Sequence, residues 1–129
     1  MSKIFKLIGT ILLLVIYLIS GINKVFTFNE TVDKIKKKFI FNNLPKVISQ
    51  LGILVIIFVW VLGSLLLIYS VHSKNKTLGI LTNSLFIILT TIVTFYFHSP
   101  FEKGQEIQFM KNLSIISGFI ILLSDFLEM

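Results

Sequence analysis

The chain is 129 residues long, 55% hydrophobic and carries a net charge of +6, with a mean hydropathy of +0.93. That composition excludes an ordinary water-soluble fold, and the length allows one domain over residues 1–129 with no room for a separate soluble one. The positive charge is all lysine, with no arginine and no cysteine. Thiolate metal sites, iron–sulfur clusters and disulfides are thereby excluded, and lipid headgroups are favoured over nucleic acid as the anionic neighbour.

Residues 7–23, 47–73, 77–101 and 112–124 contain no Asp, Glu or Lys. A hydrocarbon core of about 30 Å needs roughly 17–25 mostly apolar residues in helical form. Inside lipid the backbone must satisfy its own hydrogen bonds, so such stretches are helices. The expected fold class is an all-α membrane protein: a four-transmembrane-helix bundle with an amphipathic interfacial helix between helices 1 and 2. The expected location is an integral, multi-pass one in a membrane.

The first span covers about residues 5–24. Lys3 and Lys6 precede an apolar run in the manner of a secretory signal, but a small-residue cleavage site is missing, so a retained helix is expected. Thr10, Tyr17, Gly21 and Lys24 share one face, which reads as a packing seam or as a polar cavity lined by Tyr17 and Lys24. Residues 28–41 follow as an amphipathic helix. Thr27 and Glu30 fit a capping box, Phe28, Val32, Ile35 and Phe39 recur at helical spacing, and Glu30–Lys34 and Asp33–Lys37 are spaced for ion pairs. Lys36, Lys37 and Lys38 complete a polar face suited to lipid headgroups. A solvated basic loop is the plainer alternative.

Asn43-Leu44-Pro45 reads as a cap with Pro in the first turn of span two, about residues 47–71. Ser49, Gly52, Gly63 and Ser70 form a small-residue seam on it, and Trp60 stands at mid-span as a core side chain. The short turn from His72 to Lys76 makes spans two and three antiparallel neighbours. Span three, about residues 77–98, bears the polar stripe Gly79, Asn83, Thr90, Thr94 and His98. Such a stripe must face protein or water, and Asn83 reads first as a group that hydrogen-bonds between helices. A loop with Pro100 and Gly104 leads to span four, about residues 107–127, on which Lys111, Ser114, Gly118 and Asp125 share a face expected to turn inward. Four spans put both termini on one side, with Lys3, Lys6, Lys74 and Lys76; lysine counting favours the opposite side as cytoplasmic.

Several short patches occur in a particular order. Ser20-Gly21-Ile22-Asn23-Lys24-Val25-Phe26 closes the first helix, a basic amphipathic segment precedes Pro45, and Gly63-Ser64-Leu65-Leu66-Leu67 lies in the second span. Phe97-His98 then leads through Gln105 and Gln108 to Phe109-Met110-Lys111-Asn112-Leu113 and Gly118. In this order they resemble the DoxX family, whose wider group includes the surfeit-locus cargo receptors. The resemblance implies a compact four-helix membrane bundle, with Gly21, Lys24, His98, Lys111, Asn112 and Gly118 as family-type positions. Trp60 stands where many members have an acidic residue, and Lys6 where an arginine is usual.

No nucleophile motif, phosphate loop, histidine pair or central ionisable residue appears, so no catalytic residue, metal or cofactor is expected. The leading expectation is a non-enzymatic module for a lipid, a hydrophobic small molecule or a membrane partner, the last including a second copy of the chain. The alternative is an accessory subunit of a membrane oxidoreductase near quinone. Lys24, His98, Lys111 and Asn112 are the candidate polar cluster for that role, since the ends of three helices would bring them to one membrane face; interfacial anchoring of the same residues is the simpler alternative. Gly21, Gly52, Gly63, Asn83 and Gly118 are the expected helix-packing positions.

Overall fold

The computed structural model describes residues 2–37, 43–97 and 103–129, with Phe97 described by its backbone alone. His98, Lys38, Phe39, Pro100 and the last turn expected for the amphipathic helix lie outside these residues. In chain order the elements are α1 (Lys3–Phe26), α2 (Phe28–Lys36), α3 (Lys46–Phe58), a π turn (Val59–Gly63), α4 (Ser64–Ser73), α5 (Lys76–Phe97) and α6 (Glu106–Leu127). No strand occurs among the described residues. The π turn joins α3 and α4 into one rod, Lys46–Ser73. That rod, α1, α5 and α6 are each long and apolar enough to cross a membrane. The shortest, at 22 residues, measure about 33 Å at 1.5 Å per residue.

The chain forms two compact units: the start of α1 as far as Leu13 with the chain from Leu66 onward, and residues 14–65. In the first unit α5 and α6 are paired antiparallel. Gly79 lies against the Phe126 ring, Phe86 stacks on Phe119 with centroids 5.1 Å apart, and Asn112 Nδ2 donates to Thr94 Oγ1 at 3.1 Å. These pairs recur about one heptad apart on both helices, the spacing that keeps two long helices in register along a shallow crossing. Phe86, Phe119 and Phe126 are fully buried, and each aromatic ring of this kind removes on the order of 150–250 Å² from solvent. Hence the inward face of α6 is Phe119, Leu122 and Phe126. Lys111 and Ser114, expected to face inward, are exposed. Three large apolar groups at helical spacing outweigh a mixed stripe of small and polar ones.

In the second unit Tyr17 meets Trp60 edge to face, with centroids 4.6 Å apart. Val32 and Ile35 of α2 are buried, and α2 packs on α3. The apolar side of this amphipathic helix is thus occupied by protein, and the side it leaves outward is polar.

The helix ends correct several expectations. Thr27 precedes α2 but makes no side-chain cap; its hydroxyl donates to the Asn23 carbonyl at 2.9 Å instead. It thereby adds a second donor to a carbonyl that already accepts the Thr27 backbone N–H, and the capping box with Glu30 does not form. Asp33 lies 3.9 Å from Lys46, and among the described residues neither Glu30–Lys34 nor Asp33–Lys37 closes as an ion pair. Exposed pairs of that kind contribute little against side-chain entropy. Pro45 is itself the cap residue of α3, in an extended conformation, so it precedes the first turn that it was expected to occupy. Between α4 and α5, Lys74 adopts a left-handed φ of 56° and Asn75 N–H donates to the Ser70 carbonyl at 3.0 Å, closing α4 in a Schellman-type turn. Asn75 Oδ1 then accepts from the Leu78 amide at 3.1 Å and starts α5.

Candidate functional site: a cleft between α1 and α6

The start of α1 runs antiparallel to the end of α6, and the two touch at two levels. At one level Lys6 forms an ion pair with Asp125, and Lys6 Nζ sits 4.3 Å above the centroid of the Phe126 ring. The Lys6 side chain is only 10% exposed and that of Asp125 24%, so each charge has its partner largely out of solvent, where losing either is costly. The ring face adds a favourable cation–π term. At the other level Leu13 closes on Gly118, where an added Cβ would meet Leu13 Cδ1 at 3.1 Å.

Between these levels the helices part. The gap is a cleft of about 230 Å³, open along one side and lined by Phe5, Lys6, Gly9, Thr10, Leu13, Gly118, Ile121 and Leu122. A Cβ added at Gly9 would meet nothing within 4 Å. The Thr10 hydroxyl donates to the Lys6 carbonyl at 2.7 Å, so that proton is already engaged within α1. Charge sits at one end of the cleft and hydrocarbon lines the rest. Such a surface can receive an elongated apolar group with a polar end.

The residues expected from the sequence fall elsewhere. Lys24 donates to Ser20 Oγ at 2.6 Å and belongs to the second unit, whereas Lys111 and Asn112 belong to the first. Asn112 is engaged with Thr94; Lys111 is exposed. Of the headgroup lysines, Lys36 donates to the Leu44 carbonyl at 2.9 Å and Lys37 is exposed. Among the packing positions, Gly21 is pressed so close to Val61 and Trp60 that a Cβ would lie 2.7 Å from Val61 Cγ2. Gly63 is buried in the π turn, Gly118 borders the cleft, and a Cβ at Gly52 would meet open space. Asn83 is fully buried, but its amide donates to the Gly79 carbonyl of its own helix at 2.8 Å, while Oδ1 has no hydrogen-bond partner among the described residues. Among these it makes none of the interhelical hydrogen bonds expected of it.

Sequence reasoning missed the cleft. Lys6 was readable only as a basic flank and Asp125 only as an interfacial acid. The available signal was their matched depth: an even number of spans brings both ends to one side, where a lysine one turn into the first helix meets an aspartate near the end of the last. Gly9 gave no signal, because a glycine against protein and a glycine against empty space look the same in sequence.

The four apolar helices fit a multi-pass membrane protein. No family model, curated protein or solved structure matches the chain.

Proposed function

We propose that the protein is a small four-helix membrane bundle of DoxX-like organisation that binds a hydrophobic or amphiphilic molecule without transforming it. The observation that carries this reading is the cleft between α1 and α6, apolar along its length and charged at one end. Four rods of membrane-spanning length support the bundle, as does the antiparallel pairing of α5 with α6 and of α1 with α6. The outward faces of all four rods carry large apolar side chains such as Leu12, Leu54, Ile88 and Ile120, which suit contact with lipid chains.

Binding rather than catalysis follows from what lines the cleft. Among the described lining residues the one ionisable side chain, Lys6, is already paired with Asp125 and stacked on Phe126. The test is native mass spectrometry of the protein extracted in mild detergent. A stoichiometric non-covalent hydrophobic adduct is expected. Bare protein under conditions that preserve the fold would overturn the reading, and copurified redox subunits without such an adduct would favour an accessory role near quinone.

A further inference from the structure

We infer that the α1–α6 cleft holds one acyl chain of a zwitterionic phospholipid, with the headgroup seated at the Lys6–Asp125 pair. This rests on the preceding reading of the cleft as a ligand site and names the ligand class.

In a helix, glycine is less favourable than alanine by about 1 kcal/mol, and in membrane helices the usual compensation is close approach of a neighbour. Gly21 and Gly79 have that compensation, since an added Cβ would strike Val61 and Phe126 respectively. Gly9, like Gly52, has none, since a Cβ there meets nothing within 4 Å; of the two only Gly9 lines the cleft. What the missing side chain preserves at Gly9 is space, and that space belongs to the cleft.

From the level of Lys6 to that of Leu13 is about 10 Å along the helix. The volume, about 230 Å³, falls short of the roughly 300–1,000 Å³ that encloses a drug-sized molecule. A protein helix, about 10 Å or more across with its side chains, is too broad to enter. A stretch of one flexible hydrocarbon chain fits, with the remainder of that chain and of its lipid lying outside along the open side.

Charge selects the headgroup. Lys6 and Asp125 present an ammonium and a carboxylate side by side with no net charge. A phosphate drawn to Lys6 alone would be repelled by Asp125 at nearly the same distance, so a purely anionic headgroup gains little. A zwitterionic headgroup can set its phosphate toward Lys6 and its amine toward Asp125. The next charges along each helix, Lys3 and Glu128, are again of opposite sign and exposed.

The test reconstitutes the full chain in nanodiscs of equal parts phosphatidylethanolamine and phosphatidylglycerol with identical acyl chains, then counts lipids retained in mild detergent by native mass spectrometry. The wild type should keep one phosphatidylethanolamine in about tenfold preference, equivalent to about 1.4 kcal/mol. Gly9→Leu, which fills the cleft, should lose that lipid while far-UV circular dichroism and thermal unfolding stay unchanged. Should Gly9→Leu misfold, Gly9→Ala decides, since its Cβ has room and should give a partial loss. The double variant Lys6→Gln/Asp125→Asn should keep a lipid but lose the preference. Equal lipid retention by wild type and the correctly folded Gly9 variants, or a wild type indifferent to headgroup or favouring phosphatidylglycerol, would overturn the inference and leave the broader binding reading standing. A wild type that retains no hydrophobic molecule of any kind would overturn both.

Discussion

Gly79 and Asn83 show how differently two residues of one polar stripe behave. The Phe126 ring occupies the place of a Gly79 side chain, with ring carbons 2.3–2.5 Å from an added Cβ. Gly79→Ala is therefore expected to destabilise by about 1–3 kcal/mol, since the ring must move and it also stacks under Lys6. Thermal unfolding in detergent measures this, and Phe126→Leu in the same background should recover part of the loss. Asn83 lies one turn further along, fully buried with an unpaired Oδ1. Its one amide bond goes to a carbonyl of its own helix, so Asn83→Leu removes an unsatisfied acceptor and loses no link between helices. Its stability should stay within about 1 kcal/mol of wild type or rise. A loss of several kcal/mol would show that Oδ1 has a partner in the membrane.

The rod from Lys46 to Ser73 runs through a π turn at which a side chain joins the backbone bonding. Wider i→i+5 bonding disturbs the regular ladder of carbonyl acceptors, and the Ser64 hydroxyl donates to the Trp60 carbonyl. Ser64→Ala should cost about 1–3 kcal/mol by leaving that carbonyl less satisfied in an apolar setting, and amide hydrogen exchange should quicken around residues 60–64. The existence of the helices was legible in the sequence to within about two residues at most ends, because long apolar runs between lysines admit few other structures. The π turn was not, although Gly63 and Ser64 stand beside it. Faces were legible only where one kind of side chain dominates. The seam at Tyr17 and Gly21 could be read, since no bulky apolar residue competes with Trp60 for it. The inward face of α6 could not, because Phe119, Leu122 and Phe126 had to be weighed against the polar stripe without knowing that Phe86 and Gly79 lay opposite. The cleft itself depends on where two helices fail to touch, which no local pattern encodes.

For the molecule as a whole, the pairing of α1 with the end of α6 matters most. Lys76 Nζ also reaches the Met129 carbonyl at 3.2 Å, so the beginnings of α1 and α5 and the end of α6 lie at one end of the first unit. Lys6→Ala should destabilise by about 3–5 kcal/mol, since the largely buried Asp125 carboxyl would be left without its partner. The reciprocal exchange Lys6→Asp/Asp125→Lys should restore most of the loss, measured as the temperature of unfolding in detergent. An exchange variant as unstable as the single one would mean that packing on Phe126, and not the ion pair, holds these helices together.

That clasp also fixes an order of events during biosynthesis. Lys6 is translated 119 residues ahead of Asp125, so α1 enters the bilayer with its ammonium still seeking a counter-charge. Chains released before Asp125 is translated are left with an open flank, and such fragments should be cleared by intramembrane quality control far faster than full-length chains.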